Sequence, residues 1–325
     1  MNDALMEAAE SLIAGDPAIP AGSRIERIET VRAVGHAREL RLRWRWGNVT
    51  GTRDASIQPL DADEQREARL WSALNASGVP APHSVTVVPA TADGPFLLVM
   101  RPAGHPMAGA LHDAAMRWEI SALAFTYARA LARVHALDWR SIAPWLADPD
   151  ELPEDLVAEQ VEQIISLYEE RAAQLIGPPR EIAEAAIDWL EEHRPIEVDV
   201  CLCHGRYQPA SVLLTADEVT GIIDWSDALV TDAAYDLAAL PYRLAEMLPR
   251  EDAELFSQAA LGAYLQASPR GLDNLAFYTV SRLLGTLLDA AEADRPEATA
   301  EAVAMLMEGM REAGRTPWRA GDTRQ

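Results

Sequence analysis

Between positions 202 and 225 the chain sets a histidine, an arginine, a serine and an aspartate into loops that interrupt apolar runs. The first stretch reads Leu202-Cys203-His204-Gly205-Arg206-Tyr207-Gln208-Pro209-Ala210-Ser211-Val212-Leu213-Leu214, and the second reads Gly221-Ile222-Ile223-Asp224-Trp225. Polar groups at the ends of buried strands, held by a rigid scaffold, are where chemistry is usually placed. Asp224 would present a carboxylate at a strand end. Ser211 offers a hydroxyl that can donate or accept. Arg206 is a permanent cation with five donors and no acceptor, suited to clamp a carboxylate or phosphate and unable to take a proton. His204 has the chemistry of a proton carrier, but such a histidine is more often one that braces a loop by hydrogen bonds. Cys201, Cys203 and His204 bring three zinc-type ligands together without the further Cys or His pair that completes a tetrahedron, so the cysteines read as buried strand residues.

The surrounding pattern shows what must position these groups. Residues 2–14 carry Leu5, Met6, Ala9, Leu12 and Ile13 at helical spacing, ended by Gly15-Asp16-Pro17. From Arg24 to Leu60 the texture is alternation, broken at Gly35 and at Gly47-Asn48. Within it, Leu40-Arg41-Leu42-Arg43-Trp44-Arg45-Trp46 predicts a half-exposed strand with its arginines toward solvent, in preference to a stacking platform for bases. A helix over Asp61–Asn75 and strands near Ser84–Val88 and Phe96–Met100 follow. Beyond Arg101-Pro102-Ala103-Gly104 the chain becomes mostly helical. The helix over 113–137 is expected to bury Trp118, Leu123, Tyr127, Leu131 and Val134, and further helices are expected around 155–175, 180–193, 235–247, 251–266, 274–292 and 296–312. The organisation that results is a small lobe with a leading helix over 1–100, a Pro-Gly punctuated hinge at 101–104, a helical lobe over 105–314 and a polar, flexible tail over 315–325.

Composition narrows the partners. The chain has 325 residues, 49% of them hydrophobic, enough for a substantial core. Its 28 basic residues are all arginine and face 51 acidic ones, leaving a formal charge of −23. Such a surface repels a phosphate backbone, which argues against nucleic acid as a partner. No apolar run reaches the length of a membrane span, and no basic-then-hydrophobic leader opens the sequence. With Cys201 and Cys203 too close in sequence for a good disulfide, a reducing, cytoplasmic setting is the natural expectation. Nothing in the sequence fixes an oligomeric state.

The motif region resembles, segment for segment, the catalytic and metal-binding loops of the aminoglycoside phosphotransferase and choline kinase group. These enzymes read His-Gly-Asp, four residues, Asn, and then Ile-Asp-Trp or Ile-Asp-Phe. The resemblance runs over roughly residues 28–245 and is strongest at Leu131-Ala132-Arg133-Val134-His135-Ala136-Leu137-Asp138, His204-Gly205, Ile222–Trp225 and Tyr235-Asp236-Leu237-Ala238. It implies an α+β, two-lobed protein-kinase-like fold with a small antiparallel-sheet lobe and a larger, mainly helical lobe. It also implies ATP and Mg²⁺ as cofactors and a small-molecule substrate. By the same resemblance, Val99 to Arg101 offers backbone groups to adenine, and Glu67 stands where a helix glutamate holds the phosphate-binding lysine of the third strand. Ile57 or Gln58 occupies the position of that lysine. Asp224 keeps the metal-site aspartate, Ser211 replaces the metal-site asparagine, and Arg206 replaces the catalytic aspartate. Asp236 matches an aspartate expected to brace the loop.

In phosphoryl transfer the protein positions the γ-phosphate, neutralises its charge and orients the attacking hydroxyl. Arg206 can do neither job of the acid it replaces, and beside Asp224 it would compete with Mg²⁺ for that carboxylate. The sequence therefore points to a phosphotransferase-family protein acting on a small molecule with its ordinary reaction impaired or altered. Two alternatives stand beside it: a kinase-fold enzyme reused for another reaction in specialised metabolism, and a non-catalytic pseudokinase that only binds. The acids Glu246, Glu251, Asp252, Asp289 and Asp294 would suit an amine-bearing acceptor, but they are equally the solvated faces of helices.

Overall fold

The computed structural model describes residues 2–16, 19–34, 37–87, 95–148 and 150–314. Pro17, Gly35, Val88 and the tail from Arg315, all used in the sequence reading, lie outside the described residues. The elements run α1 (Asn2–Ala14), β1 (Arg24–Val34), β2 (Ala37–Trp46), β3 (Val49–Pro59), α2 (Ala62–Ala76), β4 (His83–Val87), β5 (Phe96–Met100), β6 (His105–Pro106), α3 (Met107–Asp113), α4 (Arg117–His135), α5 (Trp139–Ile142), α6 (Pro153–Ala172) and α7 (Pro178–Glu192). They continue as β7 (Val200–Cys203), β8 (Val212–Thr215), β9 (Glu218–Ile222), β10 (Leu229–Asp232), α8 (Ala234–Leu237), α9 (Leu240–Ala245), α10 (Arg250–Ala267), α11 (Leu275–Glu292) and α12 (Pro296–Ala313). Two compact units emerge, one of Met1–Gly109 with Pro209–Ser226, the other of Ala110–Gln208 with Asp227–Gln325. Among the described residues no helix is long and apolar enough to cross a membrane.

In the first unit an antiparallel sheet has the order β1-β2-β3-β5-β4. The period-2 pattern of the sequence sorts its side chains by face. Leu40, Leu42, Trp44, Ala55, Leu98 and Met100 form one core with Ala8, Ala9, Leu12 and Ile13 of α1, and Ile57 packs against it. The arginines of β2 take the other side, where Arg41 pairs with Asp54 across the ladder at 2.9 Å. Asp61 caps α2 by accepting the N–H groups of Asp63 and Glu64. A smaller sheet, β6-β8-β9, completes the unit.

The second unit is helical around the antiparallel pair β7–β10. Its central helix, α4, packs on α10 and buries Ile120, Ala124, Tyr127, Ala128, Leu131 and Val134. Two expectations need correction here. Trp118 is 69% exposed, because it lies two residues before Ile120 and so about 200° round the helix from the buried stripe. The helix also starts at Arg117 and not at 113, since Glu119 folds back to accept the N–H groups of Ala115 (2.8 Å) and Met116 (2.9 Å) and fixes a new N-terminus there. The helix expected over 235–247 is two short ones, separated where Ala239 takes a left-handed φ of 54°.

Candidate active site

Each unit carries one half of the motif region. In the first, β8 and β9 form a hairpin with Val212 opposite Ile222, so Ser211 and Asp224 flank the same end. The backbone there is pinned: Ile223 N–H donates to Ser211 O at 2.9 Å, Ile222 N–H donates to Pro80 O at 2.8 Å, and the Trp225 indole N–H donates to Ile222 O at 2.9 Å. Asp224 has a φ of 66° and an exposed side chain, and Ser211 Oγ lies 3.5 Å from its Oδ2. A buried hydroxyl and an exposed carboxylate thus stand side by side as hard oxygen donors.

The segment joining β5 to β6 is fastened to that hairpin. Thr220 Oγ1 donates to Ala103 O, and Gly104, at φ 124°, passes so close that a Cβ would meet Thr220 Oγ1 at 2.5 Å. Of the nucleotide-side candidates, Val99 is buried on β5 opposite Ser56, and Arg101 follows β5 with its side chain exposed. Between Ile57 and Gln58, Ile57 belongs to the core under α1, so Gln58, one residue on, points to the opposite face of the sheet. Glu67 lies half-buried on α2.

In the second unit the loop after β7 is built around the buried carboxylate of Asp236. Its Oδ2 accepts His204 N–H at 2.7 Å, its Oδ1 accepts Gly205 N–H at 2.8 Å, and His135 Nε2 lies 3.2 Å from Oδ2. His135 Nδ1 in turn meets the Tyr264 hydroxyl at 2.7 Å. Burial alone would raise the Asp236 carboxyl, but the hydrogen bond and charge of His135 hold it below the usual carboxylate range. Burial opposes protonation of His135, yet Cys201 and Asp236 raise it well above the ordinary histidine value, so the two form a buried imidazolium–carboxylate pair. Asp236 is therefore a brace, as its motif position implied. His204 is fully buried, and its Nδ1 accepts Arg206 N–H at 3.3 Å. Tyr127 and Tyr207 lock the far side of the loop by each donating its hydroxyl to the other's carbonyl, at 3.0 and 2.9 Å.

Arg206 Nη2 lies 2.8 Å from Asp227 Oδ2. The carboxylate that Arg206 meets is Asp227, a partner the sequence had not singled out. With side chains 62% and 42% exposed, the pair is screened by water and contributes at most about 1 kcal/mol. Arg206→Ala should accordingly leave thermal stability within about 1 kcal/mol of wild type; a larger loss in thermal unfolding would show that the loop depends on the ion pair.

The three soft ligands of this region are also regrouped. Cys201 and Cys203 point to one face of β7 with Sγ atoms 3.8 Å apart, and the histidine that joins them within 4.8 Å is His135, not His204. Both nitrogens of His135 are already engaged, which agrees with a buried packing role for the cysteines. Burial pushes the Cys201 thiol up, but the hydrogen bond with Cys203 and the charge of His135 bring it down to about 6, while burial pushes Cys203 up.

A model of the phosphotransferase enzyme family, APH, matches residues 52–278. The chain belongs to this family. Solved structures agree on the fold. A "putative aminoglycoside phosphotransferase" of Ralstonia eutropha JMP134 superposes with a TM-score of 0.62 at 17% identity, covering 97% of this chain and 98% of that one. The macrolide 2'-phosphotransferase MphH of Brachybacterium faecium gives 0.53 at 20% identity, covering 88% and 94%. A thermostable mutant of the aminoglycoside phosphotransferase APH(4)-Ia, in a ternary complex with ADP and hygromycin B, gives 0.54 at 15% identity, covering 90% and 96%. No curated protein matches. This phosphotransferase-family chain has the kinase-like fold of these structures, with an antiparallel-sheet N-terminal lobe and a helical lobe.

Proposed function

We propose that this family member binds ATP with Mg²⁺ and a small-molecule acceptor, and that its ordinary general-base phosphoryl transfer is weakened. The observation that carries the reading is Arg206, paired with Asp227, at the position of the family's catalytic acid. A guanidinium cannot accept the proton of an attacking hydroxyl. Nucleotide binding is supported by the family match and by likeness to an enzyme whose solved complex contains ADP.

Asp224 and Ser211 fit Mg²⁺ as the chemistry of their oxygens requires, since this ion is commonly held by one or two carboxylates while keeping several waters. When bound, the ion would neutralise charge on the nucleotide phosphates. In this reading the backbone at Val99–Arg101 receives the adenine, and Gln58 with Glu67 serves the phosphate side where the family has a lysine–glutamate pair. His204 positions Arg206 through the backbone and takes no proton.

Calorimetry with ATP and Mg²⁺, combined with intrinsic ATP hydrolysis, tests the proposal. The wild type should bind Mg²⁺–ATP and hydrolyse it slowly. Asp224→Asn should weaken the Mg²⁺-dependent part of binding roughly tenfold, and Arg206→Asp should raise hydrolysis by about tenfold or more, within the range of a restored general base. Absence of nucleotide binding in the wild type would overturn the reading and leave a nucleotide-independent use of the fold.

A further inference from the structure

The second unit contains a concavity of about 750 Å³ walled by α6, α9, α11 and the start of α8, with Arg206 at its edge. Four arginines line it, and they are not equivalent. Arg171 is neutralised by Asp289 and Glu292 at 2.7 Å each, and Arg206 by Asp227. Arg243 and Arg282 have no carboxylate within ion-pairing distance among the described residues. Arg243 Nη2 donates to Asp236 O at 3.0 Å, Arg282 Nη2 donates to Gly205 O, and the Arg282 guanidinium lies 4.1 Å from the centre of the Tyr235 ring. The Nε atoms of both are buried without a hydrogen-bond acceptor.

In a chain of net charge −23, two guanidiniums beside one concavity with no carboxylate at ion-pairing distance among the described residues are a departure that calls for a cause. Burial first, and the charge of Arg282 with it, push the proton affinity of Arg243 down against the opposing influence of Tyr127 and the Asp236 carboxylate, and the guanidinium remains charged. Desolvated like charges are costly, and that cost is removed by an anion that both can reach. The wall also offers apolar and aromatic groups, Leu167, Leu229, Phe277, Tyr242 and Met305 among them, beside neutral polar ones such as Gln160 and Thr231. Glu246 opposes an anion, but its side chain is exposed, and Asp289 is held by Arg171.

We infer that this concavity takes a small amphiphilic anion, a carboxylate or phosphate on an apolar or aromatic body, with its head group between Arg243 and Arg282. The inference rests on the reading above only in treating the concavity as the acceptor side; binding of the anion itself needs neither nucleotide nor metal. It sets this chain apart from relatives whose solved complexes hold aminoglycosides such as kanamycin.

Ligand-observed NMR and calorimetry on the full chain without nucleotide provide the test, with 4-hydroxyphenylacetate, phenyl phosphate and kanamycin as probes. At least one of the two anions should bind, and which of them binds identifies the head group. Arg282→Gln should weaken that binding roughly ten- to hundredfold, whereas Arg282→Lys, which keeps the charge, should stay within a few-fold. If Arg282→Gln does not fold, raising NaCl from 50 to 500 mM on the wild type must weaken the anion by a similar factor. Kanamycin binding more tightly than both anions, or anion binding indifferent to charge at Arg282 or to salt, overturns the inference. Because nucleotide is absent, a failure here leaves the ATP reading intact, and loss of ATP binding leaves this one standing.

Discussion

Asp236→Ala is expected to lower the thermal midpoint of the chain by roughly 10 °C, a loss of about 3 to 5 kcal/mol. The carboxylate is fully buried and holds three donors: His204 N–H, Gly205 N–H and the His135 ring. Truncation would strand a buried imidazolium and two backbone N–H groups in a site without water access, so the penalty is that of an uncompensated buried charge and not of one exchanged hydrogen bond. The pH dependence follows from both shifts. Asp236 titrates below its unfolded value in the folded state, so its contribution is complete above about pH 4 and is lost as pH falls through the folded value. His135 titrates above its unfolded value, so its contribution is complete below about pH 6.5 and fades as pH rises through the folded value. The difference in Tm between wild type and Asp236→Ala should therefore be widest between about pH 4 and 6.5 and narrow on both sides. A variant that melts within 2 °C of wild type at pH 5.5 would mean that the loop is held by other contacts, such as the Tyr127–Tyr207 exchange.

What the sequence reveals here follows from how far each interaction reaches along the chain. The strands of the first unit are legible because alternation is local, and Leu40, Leu42 and Trp44 declare one face within five residues. Ser211 and Asp224 come together because a single hairpin joins them, so the apolar runs on either side were enough to place both at strand ends. The break in the helix around Ala239 had a signal in Pro241, which has no N–H to bond back to Leu237 O and is tolerated only in the first turn of a new helix. Other features left no local trace. The burial of His135 beside Cys201 needs α4 and β7 to pack, and the convergence of Arg243 and Arg282 needs α9 and α11 to present one side each to the loop at Gly205 and Asp236. The pairing of Arg206 with Asp227 is a matter of rotamer in two flexible side chains, which spacing does not encode. The sequence set Arg206 in this loop against Asp224, whereas the ion pair it makes is with Asp227.

Gly205→Ala should cost roughly 3 kcal/mol, combining overpacking with an unfavourable left-handed backbone. At φ 86° the residue occupies a region that glycine adopts readily and alanine does not. A methyl group there would lie 1.9 Å from Asp227 O and 2.6 Å from its carbonyl carbon, and both of these are backbone atoms that cannot swing aside as a side chain would. Nor can Gly205 itself retreat, since its N–H is bound by Asp236 at 2.8 Å and its carbonyl by Arg282. Relief must come from moving Asp227 away from the loop, which would also draw its carboxylate off Arg206. The variant should therefore lose stability and change the behaviour of Arg206 together, unlike Arg206→Ala, which touches only the second. Gly262→Ala supplies the control. That glycine lies inside α10 with nothing within 4 Å of the added carbon, so alanine should stabilise the helix by about 0.5 to 1 kcal/mol. If thermal unfolding shows Gly205→Ala and Gly262→Ala shifting Tm in the same direction, the close approach of Gly205 to Asp227 is not a constraint on this loop, and the position of Arg206 must be set by Asp236 and the tyrosine pair alone.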